Sequence, residues 1–198
     1  MSLFKKFFGT GESEDEKEGN LSPFNPEAII PADELFTLNF KKNGGKFLYC
    51  ENLEEVKEHF EHILEENDWF ESEAICFEPK LHSLLEENKL LYVKPTNPKF
   101  LLASCENLIA DEGSVLFSSN QIKQNKPNEL PVNIVILATT SQILASKSDG
   151  LREIKKKYET NYPTNITTMK YFEKAKEEDF LQYGSVAKNL YLLLLEDL

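Results

Sequence analysis

The sequence predicts an α/β fold, a mostly parallel sheet flanked by helices. Three observations predict it. Helix and strand signals alternate from residue 32 onward. The two most apolar segments, VNIVILA at 132–138 and LYLLLL at 190–195, are uniformly apolar rather than alternating, as strands covered on both faces must be. The chain has 198 residues, 40% of them apolar, enough for one domain with a substantial core. The expected division is a disordered tail at 1–22 and a single domain at 23–198.

Residues 1–8 (MSLFKKFF) form a short aromatic and basic knot, and residues 9–20 are rich in Gly and Glu. That composition cannot offset chain entropy by burial. Pro23, Pro26 and Pro31 then predict an irregular lead-in. Residues 33–42 carry Leu35, Phe36, Leu38 and Phe40 and run into Asn43-Gly44-Gly45, a helix followed by its stop. Residues 46–50 (KFLYC) read as a strand. Asn52 and Glu55 have capping-box spacing, and Val56, Phe60, Ile63 and Leu64 share one face of a helix running to about residue 67.

A strand at 73–77 (EAICF) and a short helix at 79–88 follow, with Pro79 at the first helical position. Residues 90–93 predict another short strand. Two β-like stretches, 101–110 and 114–118, flank Asp111-Glu112-Gly113, which predicts a hairpin or tight bend with Gly113 at positive φ. Residues 121–129 are polar and loop-like. The strand at 132–138 precedes a helix at 149–160 with Ser148 as its cap. Residues 162–168 predict a loop or short strand, 173–183 a helix, and 190–195 a last buried strand.

Charge and composition exclude several function classes. There are 22 Lys+Arg against 34 Asp+Glu, a net charge of −12, which repels a polyanion, so nucleic acid is not the expected partner. The one dense basic run, Lys155-Lys156-Lys157, reads as a solvated helix face. No apolar run approaches the ~20 residues of a membrane span. The opening residues lack a secretory pattern, so the expected location is the cytoplasm. Cys50, Cys76 and Cys105 are far apart and form no Cys-x-x-Cys. They suit small buried hydrophobes, and the ligand set of a zinc site or iron–sulfur cluster is missing. His59 and His62 are three apart on an acidic helix, spacing that can hold a metal but more commonly marks a solvated face. The expectation is therefore no metal site and no intrinsic cofactor.

The second half resembles a known family. Leu108-Ile-Ala-Asp-Glu-Gly-Ser-Val-Leu116 is similar to the A-E-T-G-T-I signature of the LUD domain, the family of lactate-utilisation protein C and its YkgG-like relatives. Leu130-Pro131 followed by Val132-Asn-Ile-Val-Ile136 resembles its L-P-x-x-H-I-V-V segment. Gly184 through Asp197 resembles its final G-x-H-G-P-x-x-L-x-V-V-L-x-D strand. The resemblance spans residues 30–198 and implies a NagB/RpiA/CoA-transferase-like fold. It also implies a role beside an iron–sulfur protein and a cysteine-rich redox subunit in oxidising lactate. Several positions depart from the pattern. Glu112 and Ser114 replace the two threonines of the signature, Asn133 replaces the histidine, and Ser185-Val186-Ala187 stands at H-G-P. Gln124-Asn125-Lys126 lies where the family has a basic G-R, and Thr167 through Lys170 where it has G-P-S-x-T-A-D-I.

In parallel α/β sheets ligands sit beyond the carboxyl ends of strands, which singles out two clusters. Asp111, Gly113 and Ser114 offer backbone approach and a hydroxyl for an anionic small molecule, with Glu112 as a candidate base or nucleophile; the same residues make a tight turn. Thr139 and Thr140 offer hydroxyls to a phosphate or carboxylate, or satisfy loop backbone. Three functions follow. The first is an accessory or binding subunit in oxidation of lactate or a related organic acid. The second is a small-molecule enzyme of CoA-transferase or cyclo-ligase type. The third is a degenerate scaffold.

Overall fold

The computed structural model describes residues 30–172 and 188–197. The expected tail at 1–22, the helix expected at 173–183 and the family positions 184–187 lie outside the described residues.

Helix α1 (Ala32–Lys42) places Asp33 and Glu34 in its first turn and Lys41 and Lys42 in its last, complementing the helix dipole. Its inner face stacks Phe36 on Phe40, ring centres 5.3 Å apart. Strand β1 (Lys46–Cys50) leads to α2 (Leu53–Glu66). The expected cap forms in a shifted version: Asn52 Oδ1 accepts the Glu55 N–H at 3.0 Å, while the Glu55 carboxylate reaches back to the N–H of Glu51 at 2.8 Å. Val56, Phe60, Ile63 and Leu64 are buried, as their spacing predicts.

Strand β2 (Ala74–Ile75) is shorter than the expected 73–77. The Glu73 carboxylate accepts the backbone N–H groups of Thr96 and Asn97, and only a single bridge joins Glu73 to Leu91. The strand expected at 90–93 is reduced to that bridge, and Val93 faces solvent. A 3-10 turn (Pro79–Leu81) and α3 (His82–Glu87) precede β3 (Phe100–Ala103). Strands β4 (Asn107–Ile109) and β5 (Ser114–Ser118) form the expected hairpin. Part of the expected loop at 121–129 is a buried turn, α4 (Ser119–Ile122), because Gln121 returns its Oε1 to the Ser118 N–H at 2.7 Å. Strand β6 (Asn133–Thr139), a 3-10 turn (Thr140–Gln142) and β7 (Ile143–Leu144) lead to α5 (Lys147–Tyr158). Ser146, not Ser148, caps α5: its Oγ accepts the Asp149 N–H at 3.3 Å. Strands β8 (Ile166–Met169) and β9 (Asn189–Leu195) follow.

The main sheet has order β1-β9-β6-β3-β2, with every pairing parallel. A second sheet, β7-β4-β5-β8, is parallel only between β4 and β7. The uniform apolarity of β9 now has its cause. Leu190, Leu192 and Leu194 face the core shared with α1 and the second sheet, while Tyr191 and Leu193 face the core under α2. Among the described residues no helix is long and apolar enough to cross a membrane.

Candidate functional site

The carboxyl ends of β3, β6 and β9 open onto a cavity of about 830 Å³, closed on its far side by α4, α5 and the second sheet. Its frame is the link Ser104-Cys105-Glu106, which carries the chain from the main sheet to the second. Gln142 fixes that link: its Nε2 donates to the carbonyls of Cys105 at 2.7 Å and Glu106 at 3.1 Å, and its Oε1 accepts the Thr139 N–H at 2.8 Å.

Two carboxylates back the cavity. The Glu106 side chain is 1% exposed and accepts from Ser118 Oγ (2.6 Å), Gln121 Nε2 (3.0 Å), Tyr158 OH (2.9 Å) and Lys157 Nζ (2.9 Å). Burial alone pushes its pKa up. The hydrogen bonds from Ser118, Gln121 and Lys157 outweigh burial and hold it below the usual carboxylate value. Burial pulls the Lys157 pKa down, but its contacts with Glu106 and Tyr158 outweigh that and raise it. On the other wall Glu78 accepts the Ser104 N–H at 2.7 Å and the Ser104 hydroxyl at 2.6 Å, and pairs with Lys80 at 3.2 Å. Lys80 also donates to Ser104 Oγ at 3.1 Å.

The sequence-predicted site residues are not brought together. Thr139 lines the 830 Å³ cavity, its Oγ 3.1 Å from Ser141 Oγ. Thr140 donates to Asp197 Oδ1 at 2.9 Å, and Ser141 supplies both its N–H (2.9 Å) and its hydroxyl (2.7 Å) to the same carboxylate. The anion position expected after β6 is thus held by the chain's own Asp197. Gly113 has φ +59° and abuts the backbone of α1. Asn39 Nδ2 donates to the carbonyls of Ala110 (2.8 Å) and Asp111 (3.2 Å), and Asn43 Nδ2 to those of Glu112 (2.8 Å) and Gly113 (3.1 Å). Ser114 is buried and donates to Glu112 Oε2 at 3.1 Å, while Asp111 is exposed. Glu112 lines a different cavity of about 310 Å³ with Thr168, Lys170 and Lys188. Burial lowers the Lys188 pKa, and its ammonium donates to the Leu130 and Pro131 carbonyls at 2.8 and 3.1 Å, tying down the loop into β6.

The architecture has a counterpart among solved structures. The chain shares its fold with a DUF162 family protein of Deinococcus radiodurans, at a TM-score of 0.58 over 85% of this chain and 99% of that one. Sequence identity is 10%, so the likeness is one of fold. DUF162 is the LUD domain family, and the fold therefore agrees with the resemblance in the second half of the sequence. No family model matches the sequence, and no curated protein matches it significantly.

Sequence reasoning missed Glu78, Ser104, Glu106, Lys157, Tyr158 and Asp197. One signal pointed to Glu106: it is the lone charged residue in the otherwise apolar or uncharged stretch 101–110, and a buried acid there needs donors. Cys105 lines the cavity but is fully desolvated, which pushes its thiol pKa far up and leaves it a poor nucleophile. Burial, with Glu55 nearby, pushes Cys50 up to about 12. Among the described residues no group of three or more His, Cys, Asp or Glu is placed to hold a metal, and the rings of His59 and His62 stand 6.2 Å apart.

Asp197 gives a pH prediction. Burial opposes its ionisation, but the bonds from Ser141, with Thr139 and Thr140, hold its pKa at about 2. A depressed folded pKa contributes stability above the unfolded value of 3.8, lost as pH falls through about 2. The residue is exposed, so solvent screening reduces the contribution to about 1 kcal/mol. Urea unfolding compared between wild type and Asp197→Asn is expected to show that difference at pH 6 and to lose it near pH 2; a constant difference would refute the assignment.

Proposed function

We propose that this protein is a binding subunit for a small organic anion, seated in the 830 Å³ cavity, that serves the oxidation of lactate or a related organic acid. The observation that carries the anion-binding reading is the orientation of charge in that cavity. The acids Glu78 and Glu106 are 11% and 1% exposed and lie behind their partners, whereas the Lys80 and Lys157 side chains are 65% and 57% exposed. A ligand entering from solvent meets the Lys80 and Lys157 ammonium groups and the Thr139 hydroxyl at the end of β6, with Glu153 the one lining acid that is half-exposed. A carboxylate is a matching acceptor. The site's position beyond strand carboxyl ends is where parallel sheets hold ligands. The lactate role comes from the family resemblance, in which electrons pass to separate iron–sulfur and cysteine-rich subunits and this chain carries no cofactor of its own.

The cavity volume favours a second reading. A volume of 830 Å³ falls in the range of drug-sized ligands, roughly 300–1,000 Å³, more than a three-carbon acid fills. An enzyme of CoA-transferase or cyclo-ligase type would use that room for a larger substrate, whereas Glu112, the base or nucleophile expected from the sequence, lines the separate 310 Å³ cavity. Thermal unfolding of the full chain with lactate, pyruvate, acetyl-CoA and ATP separates the readings. The binding-subunit reading expects lactate or pyruvate to raise the Tm, since a ligand at 100-fold its Kd adds about 2.7 kcal/mol. A shift from acetyl-CoA or ATP alone would favour the enzyme, and no shift from any of the four would overturn both readings in favour of a scaffold.

A further inference from the structure

We propose that the ligand of the 830 Å³ cavity carries two anionic groups, one gripped by Lys80 and the other by Lys157. The inference rests on the anion-binding reading above and narrows its substrate class from organic anions to dicarboxylates.

The two walls repeat one arrangement. On each, a buried carboxylate pins a lysine at one oxygen and engages a hydroxyl beside it: Glu78 with Lys80 and Ser104, Glu106 with Lys157 and Tyr158. Pinning removes much of the entropy that a long side chain loses on binding. It does not exhaust the ammonium, which has three N–H donors. Lys157 gives one to Glu106, and Lys80 gives two, to Glu78 and Ser104. Each lysine keeps at least one donor for a ligand. The carboxylates cannot take that role: Glu106 already accepts from four side chains and is shut off from solvent.

The walls are held at a fixed separation. Ser104 and Glu106 are two residues apart on the same link, so their Cα atoms are at most about 7 Å apart. Gln142 clamps the carbonyls of Cys105 and Glu106 from the third side. A dicarboxylate whose spacer matches the gap satisfies both lysines at once, whereas a monocarboxylate satisfies one. The remaining acid in the lining, Glu153, leans toward Lys156 at 3.9 Å and selects against a third negative charge.

Isothermal titration of the full chain at low salt tests the pairing. Succinate, glutarate and adipate are compared with butyrate. The best dicarboxylate is expected to bind at least tenfold more tightly than butyrate, the gain of one added charge-assisted contact. Lys80→Met and Lys157→Gln, the latter keeping an N–H for Glu106, are each expected to bring it down to the butyrate level. Unfolding midpoints of the variants, read alongside, identify any loss of fold. Equal binding of butyrate and the best dicarboxylate, or no effect of Lys80→Met, overturns the two-point grip and leaves anion binding standing. Failure of every acid, butyrate included, overturns the underlying reading as well.

Discussion

Glu106→Ala is expected to lower folding stability by about 4 kcal/mol, measured by urea unfolding at pH 7. Removing one partner of a buried, hydrogen-bonded charge network typically costs about 3–5 kcal/mol. The cost here has identifiable parts. The Ser118 hydroxyl and the Gln121 amide are buried and lose their acceptor, and each stranded donor costs about 1–3 kcal/mol. The Lys157 charge contributes less, because its side chain is 57% exposed and water screens it. Helix α5 also loses a tether. It buries only Gly150 and Ile154, so its contacts through Lys157 and Tyr158 to Glu106 are a large part of its docking. Glu106→Gln is expected to cost less, about 2 kcal/mol, since it restores one acceptor while turning two N–H groups toward existing donors. A loss under 1 kcal/mol for the alanine variant would mean that water replaces the network without penalty.

What could be read from the sequence follows a physical division. Strands β6 and β9 were legible because both faces are covered and the apolar run is unbroken. Helices α1 and α2 were legible from their periodic apolar face. Strand β2 was overestimated because its ends are fixed by tertiary contacts, the Glu73 carboxylate with Thr96 and Asn97, and not by local propensity. The turn α4 was missed because Gln121 is polar, and only its distant partner Glu106 makes it a buried residue. The site divides in the same way. Thr139 was found because it ends β6, one of the two most apolar strands. Lys157 sits in a lysine run whose local pattern says solvent, and the carboxylate that orders it lies 51 residues earlier. Asp197 meets Thr140 across 57 residues. Such pairings carry no local signal, so one sequence shows donors and acceptors but not which of them meet.

Gly113→Val is expected to be the most damaging single change in the hairpin, lowering stability by more than about 4 kcal/mol and detaching the bend from α1. Position 113 has φ +59°, a region that costs an ordinary L-residue about 1–2 kcal/mol and a β-branched residue more. A Cβ there would also collide with the backbone of Asn39 and Phe40. Those atoms belong to the interior of α1, so they cannot swing aside as a side chain would. Moving them displaces Phe40, which is fully buried against Phe36 and Phe172. It also breaks the hydrogen bonds donated by the Asn39 and Asn43 side-chain amides to four consecutive carbonyls of the bend, Ala110 to Gly113. Asn39→Ala removes only the two bonds to Ala110 and Asp111 and is expected to cost about 1–2 kcal/mol. The comparison separates two roles for the glycine. If Gly113 served only to admit a ligand to the backbone, valine would abolish binding and leave the unfolding midpoint unchanged. Close approach of the helix predicts the reverse order, with stability lost before any binding is measured, and a Gly113→Val protein that melts with the wild type would refute it.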